Sequence, residues 1–341
     1  MVTRYHPSGQ AANYTNHGDE ASKRGPPPPD WVGGKGLRAV RYQIIGDDGT
    51  LNAYFGGVCK TLTEALNNEK QNVPGHVPHS PFQCVFSESD NPQANAMLID
   101  GVSVIWITKG MLGLVWTACD LMSKSEYVIQ LFNHAPTSQI HAALFQTQLS
   151  FVLCHEYANH VHGHLAHSSF GLDEGDIQTQ VFEVDADCYA VYFVLAFLIK
   201  GEGRAGALER LNCATANSRS QDEALMSSFV LAAGGFLYAT PPGPLNASRI
   251  FQQRYPPLAA RMNWITHTAI DWCDQNTAQL KQWMTLDRWR ELMLFAAIAV
   301  SELNGGAHWG DQVAFLKSET GAEYTRVVMA AFEEYKQALY S

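Results

Sequence analysis

The stretch Phe151–Leu165, FVLCHEYANHVHGHL, decides how the rest of the chain is read. Its first four residues are apolar and continue a pattern that predicts a long helix from about Gln139 to His162. The run Phe151-Val152-Leu153-Cys154 leaves that helix no polar face, so it belongs at the centre of the core. Gly163 stands where a helix stops in the left-handed conformation. Residues four apart on a helix differ by roughly 400°, so they lie nearly above one another. Two histidines at that spacing can aim at one metal ion, and a glutamate after the first can serve as general base. Here His155 and Glu156 hold the first two places of His-Glu-x-x-His, but Asn159 holds the last.

His160 is one step beyond and lies roughly 140° around the helix from His155. A π-bulge would bring the two together. It would also spoil the spacing to Gly163-His164, so the regular register is preferred, with Asn159 in the ligand position. His160 and His164 as a metal pair of their own are a weaker reading than polar residues at a helix end.

A three-ligand site needs another donor. FEVDADCYA (Phe182–Ala190) opens a second apolar helix and carries Glu183 and Asp187 on one face. Carboxylates entering an apolar helix are costly to bury without a cation or donors. On a solvated first turn they would only complement the helix dipole. Beside His155-Glu156 the buried reading is the stronger.

The wider chain is consistent with an ordinary globular protein. It has 341 residues, 46% hydrophobic and 16% charged, with 23 Lys+Arg against 33 Asp+Glu. The net charge of −10 argues against nucleic acid or anionic membrane as a partner. Seven cysteines form no Cys-x-x-Cys pair, which argues against a zinc knuckle or a disulfide framework. The opening residues lack an apolar leader segment, and the apolar runs Cys188–Ile199 and Phe229–Ala239 are too short to span a bilayer. A cytoplasmic protein without membrane insertion is expected. Residues 1–36, with RGPPPPDWVGGKG, read as a Pro/Gly-rich disordered tail, and 37–341 as one domain. NAMLI, DG and VSVIWIT read as a β-hairpin turning at Asp100-Gly101. Further helices are expected at about 221–239, 256–275, 277–304 and 320–339.

These motifs together resemble the gluzincin zinc metallopeptidases, which carry His-Glu-x-x-His-x-x-x-Gly-His and then Glu-x-x-x-Asp-x-x-Ala. Glu183, Asp187 and Ala190 meet the second motif. The resemblance is strongest to minigluzincins and their CAAX-prenyl-protease-like relatives. The chain is similar to them upstream too, at Asn95, Ala96 and Gly110, and downstream at RYPPLAARM (Arg254–Met262), with Tyr255 where histidine is usual. The soluble character and divergent flanks also resemble the Lit-like phage-exclusion peptidases.

The resemblance implies an α+β fold, mostly helical, with a small sheet or hairpin edge strand and a helical C-terminal part from about 263 to 341. It implies one zinc ion held by His155, Glu183 and, weakly, Asn159, with Glu156 activating the attacking water. Asp187 would orient a ligand, and His164 is either structural or does the same. Strand Val102–Thr108 would be the edge for a protein or peptide substrate, with Val102, Val104 and Trp106 in contact. Tyr255 could hold an oxyanion but reads better as a buried structural residue, and Arg261 as the partner of a core carboxylate. An amide oxygen is a weaker zinc donor than imidazole. The expected activity is therefore an intracellular endopeptidase impaired by Asn159, or else a non-catalytic binding protein on the same scaffold.

Overall fold

A computed structural model describes residues 82–87, 89–99, 101–167, 175–240, 245–304 and 309–340, with 63, 64 and 66. The expectations for the tail 1–36 and for the turn residue Asp100 lie outside these. The protein is mostly helical with one three-stranded mixed sheet, an α+β arrangement.

The strands are β1 (Gln83–Ser87), β2 (Ala94–Ile99) and β3 (Val102–Thr108). β2 and β3 form the expected antiparallel hairpin, from Ala94 opposite Ile107 to Ile99 opposite Val102. Gly101 closes it with φ 77°, a conformation that favours glycine. β1 adds in parallel on the other side of β3, so the order is β1-β3-β2. This corrects the expectation that β3 is the edge. β3 is central, and β2 is the edge strand of the hairpin.

Thr108 ends β3 and caps α1 (Lys109–Lys124) by accepting from the Met111 N–H. Gly110 sits so close to the preceding loop that a Cβ there would lie 2.2 Å from the Asp90 carbonyl oxygen. α2 (Glu126–Leu131) follows, then α3 (Thr137–Val161), the helix that carries the decisive stretch. Every residue from Thr147 to His162 is buried, as the unbroken apolar run required. Its buried polar side chains find internal partners. Ser150 Oγ donates to the Gln146 carbonyl at 2.7 Å, and Gln148 Nε2 donates to the Ala232 carbonyl at 2.8 Å. Gly163, with φ 75°, stops the helix as expected and leads into a short 3₁₀ turn, His164–Ala166.

α4 (Ile177–Ile199) packs along α3. Asp176 caps it by accepting from the Thr179 N–H. Then come α5 (Gly203–Arg210), α6 (Ser218–Ala239), α7 (Leu258–Asn276), α8 (Ala278–Trp283), α9 (Leu286–Ala299), α10 (Ser301–Asn304), α11 (Trp309–Leu316) and α12 (Glu319–Tyr340). The single helix expected over 277–304 is three helices. Met284 leaves helical geometry, and Thr285 caps a new start by accepting from the Arg288 N–H. The main core gathers Phe145, Phe151, Tyr157, Phe229, Trp272 and Trp289 between α1, α3, α4, α6, α7 and α9. No described helix is long and apolar enough to cross a membrane.

Candidate active site

The α3–α4 contact brings together side chains that lie far apart in sequence. His155 points its Nδ1 at Asp187 Oδ1, 3.0 Å away, and its Nε2 at Glu183 Oε2, 3.5 Å away. Arg261, on α7, grips Asp187 with two hydrogen bonds of 2.8 and 2.7 Å and stands 3.8 Å from Glu183. Arg261 is thus the partner of a core carboxylate, as expected, and Asp187 meets the ring of His155. The Glu183 and Asp187 carboxylates are buried, which excludes the solvated first turn.

His155, Glu183 and Arg261 line one wall of a cavity of about 810 Å³. Glu156, Asn159 and the edge strand at Ala94, Asn95 and Ala96 line it as well. The backbone N–H of Ala96 hydrogen-bonds Glu156. Tyr255 also lines the cavity, and it is 46% exposed, which corrects its reading as a buried residue. The Arg254 guanidinium covers its ring at 4.8 Å, and Pro256-Pro257 hold the segment at the cavity rim. Val102, Val104 and Trp106 are not among the lining residues. They lie on the central strand, which is already paired on both sides, so they offer no free edge.

His160 turns away from the cavity. Its Nε2 donates to the Val104 carbonyl at 2.9 Å and ties α3 to β3. The helix is regular through Val161, so no bulge exchanges His160 for Asn159. Asn159 faces the cavity. Its amide lies 3.4 Å from Glu156 Oε2 on one side and 2.8 Å from His164 Nδ1 on the other.

Electrostatics follow from burial and these pairings. Burial pushes the Glu156 carboxyl up to about 7, opposed by the charge of His155 and reinforced by that of Glu183. Burial alone would lower His155, but its bond to Asp187 and the nearby Glu183 carboxylate raise it to about 10. Burial would raise Asp187, but the charge and hydrogen bonds of Arg261 together with those of His155 hold it down at about 2. Glu183 is likewise lowered, against burial, by His155 and Arg261. A carboxylate near neutrality in a cavity, beside two that stay ionised, is an arrangement suited to moving a proton.

A second group was not legible in the sequence. Asp185 lies between Glu183 and Asp187 but on the opposite side of α4, with its side chain fully buried. Its Oδ2 accepts from His162 Nδ1 and lies 3.1 Å from His164 Nε2. Burial opposes ionisation of Asp185, yet His162 and His164 keep its pKa low. The left-handed Gly163 lets both histidines that flank it turn toward one carboxylate. Ligand atoms of His162, His164 and Asp185 lie within 4.8 Å of one another, so this buried cluster could hold a metal ion. The signal available in sequence was His-Gly-His paired with a third carboxylate two residues from each of the others.

No protein-family model matches the chain, and no solved structure matches it significantly. Partial likenesses exist to aspartate–tRNA(Asp/Asn) ligases. Those of two Mycobacterium species, strains KMS and JLS, are 34% identical over 80 residues, 24% of this chain and 12% of theirs. That of Corynebacterium kroppenstedtii is 30% identical over 70 residues, 20% of this chain and 11% of its own. The chain therefore spans about an eighth of the length of these relatives, which establishes no family.

Proposed function

We propose that this protein is a metal-dependent peptide hydrolase of the gluzincin type, acting on an intracellular protein or peptide. The observation that carries the reading is the 3.5 Å gap between His155 Nε2 and Glu183 Oε2. A charge-assisted hydrogen bond is shorter, about 2.7–2.9 Å. Two ligands about 2.0–2.1 Å from a tetrahedral zinc ion stand roughly 3.3 Å apart, close to the spacing present. The donor set fits in charge as well. Glu156 and Glu183 line the cavity beside His155 and can supply anionic oxygen donors to a cation.

Zinc, when bound, would supply Lewis-acid polarisation of the scissile carbonyl. His155 and Glu183 would hold it, with Asn159 as a weaker third donor, and Asp187 would fix the ring of His155. Glu156 would take a proton from the attacking water and later pass it to the leaving amine. The Ala96 N–H steadies Glu156 for that role. An extended substrate would lie along β2, whose residues Ala94–Ala96 line the cavity, and pair with it as an added strand.

A second reading is a non-catalytic binding protein on the same scaffold. The amide at Asn159, where an imidazole would complete the ligand set, favours it. Asn159→His should raise zinc occupancy and cleavage of a mixed peptide library. Glu156→Gln in that background should abolish cleavage and leave the zinc. Zinc and cleavage unchanged by Asn159→His would refute the hydrolase reading.

A further inference from the structure

Gln312, on α11, is held at one end of its amide only. The residue is 3% exposed, and its Oε1 accepts from the Ala259 N–H at 3.1 Å. Ala259 lies in the first turn of α7, where backbone N–H groups have no partner within the helix. A backbone N–H can only donate, so the oxygen must be the end of the amide that meets it. That contact fixes the orientation and turns the NH2 the other way.

The NH2 finds no acceptor among the described residues, yet it is not sealed in. The open space that Gln312 lines is the cavity. Its neighbours there do not compete for the role. Leu245, Leu258 and Phe236 are apolar, and Thr240 spends its hydroxyl on the Phe236 carbonyl at 2.9 Å. Water in the cavity can serve the NH2. A ligand that fills this end expels that water and must bring an acceptor of its own, because a buried donor left unmet is costly. A carboxylate is a poor choice, since Glu156 and Glu183 line the same cavity. A neutral carbonyl suits it, and a peptide backbone carries one at every residue.

Resting on the hydrolase reading above for the nature of the occupant, we infer that Gln312 is a substrate-binding residue, whose NH2 donates to a backbone carbonyl of the bound peptide. One oxygen-anchored amide thus caps α7 and reads the chain that enters the cavity. The contact is blind to sequence, because it is made to the backbone. It is also made away from the reacting groups, so it strengthens binding of substrate and transition state alike. The side chain next to that carbonyl meets the apolar lining of Phe236, Leu245 and Leu258.

Two measurements test this. The first is ¹⁵N NMR of the full chain labelled at glutamine, with a chelator present, before and after addition of a mixed library of end-blocked pentapeptides. The Gln312 NH2 signal is identified by its loss in Gln312→Glu. It should move when the library is added; a signal that stays in place overturns the inference. The second is turnover of the best-cleaved library peptide in the Asn159→His background. Gln312→Glu keeps an oxygen for the Ala259 N–H but has no NH2, so KM should rise about 5-fold or more while kcat changes little. A residue that only caps α7 gives another pattern: KM unchanged in Gln312→Glu, with a lower melting temperature in Gln312→Met, which keeps neither end. That pattern also overturns the inference. If Asn159→His cleaves nothing, the hydrolase reading fails, while the NMR signal still decides whether Gln312 meets a peptide.

Discussion

Replacing Arg261 with Met removes the guanidinium from Asp187 and keeps most of the side chain's bulk. The pair is buried, with the Asp187 side chain fully covered and that of Arg261 only 12% exposed. Solvent therefore screens it little. Asp187 sits at about 2 instead of 3.8, a shift that corresponds to about 2–3 kcal/mol net of burial. That contribution is present above the ordinary carboxylate pKa and is lost as pH falls through about 2. His155 shares in it, at 3.0 Å on the other side of the carboxylate. Stripping one partner from a buried pair also strands the other charge, a cost of about 3–5 kcal/mol where no second partner remains. With His155 still in place, Arg261→Met should lose about 2–4 kcal/mol. Urea denaturation at pH 7 in the presence of a chelator measures it, since no cation can then stand in for the guanidinium. Adding Asp187→Asn should recover at least about 1 kcal/mol, because a neutral amide needs no counter-charge. A loss below about 1 kcal/mol, or a double variant no more stable than the single one, would refute the view of Arg261–Asp187 as the buried anchor of His155.

Gly110→Ala puts a methyl group 2.2 Å from the Asp90 carbonyl oxygen, a backbone atom with no freedom to swing aside, so it should cost about 1–3 kcal/mol in urea denaturation. Cys273 is pushed up to about 12, first by burial and then by the charge of Asp274. Its folded pKa lies above the unfolded one, so the stability it contributes is whole below about pH 9 and fades as pH rises toward 12. Cys273→Ala should therefore flatten the fall in melting temperature between pH 9 and 11; an unchanged slope would contradict this. Glu156→Gln in the Asn159→His background should reduce peptide turnover by about 10²–10⁴-fold, the range of a lost general base, with no loss of metal.

The helices and the cavity wall were legible because both rest on local spacing. His155, Glu156 and Asn159 share a face by the helical period, and the apolar run through Cys154 required burial. The placing of Glu183 and Asp187 was legible for the same reason, four residues apart at the head of an apolar helix. The sheet order was not. β1 is QCVFS, five residues paired in parallel with β3, and nothing in its neighbourhood announces a partner so far along the chain. Without it β3 reads as an edge, and the substrate contacts were assigned to Val102, Val104 and Trp106. Asp185 is silent in the sequence because its partners, His162 and His164, lie on another element and meet it only through the turn at Gly163. The break at Met284 was hidden by good helix formers on both sides.

The hydrolase reading requires His155 and Glu183 to hold an ion, with or without full help from Asn159. Equilibrium dialysis of the native chain against Zn²⁺, followed by elemental analysis, tests it directly. The expected result is partial zinc uptake, below the one equivalent expected of Asn159→His, lost in both His155→Ala and Glu183→Gln and retained in Glu156→Gln. A native chain that takes up no zinc, or zinc that survives the loss of His155 and Glu183, would contradict the account.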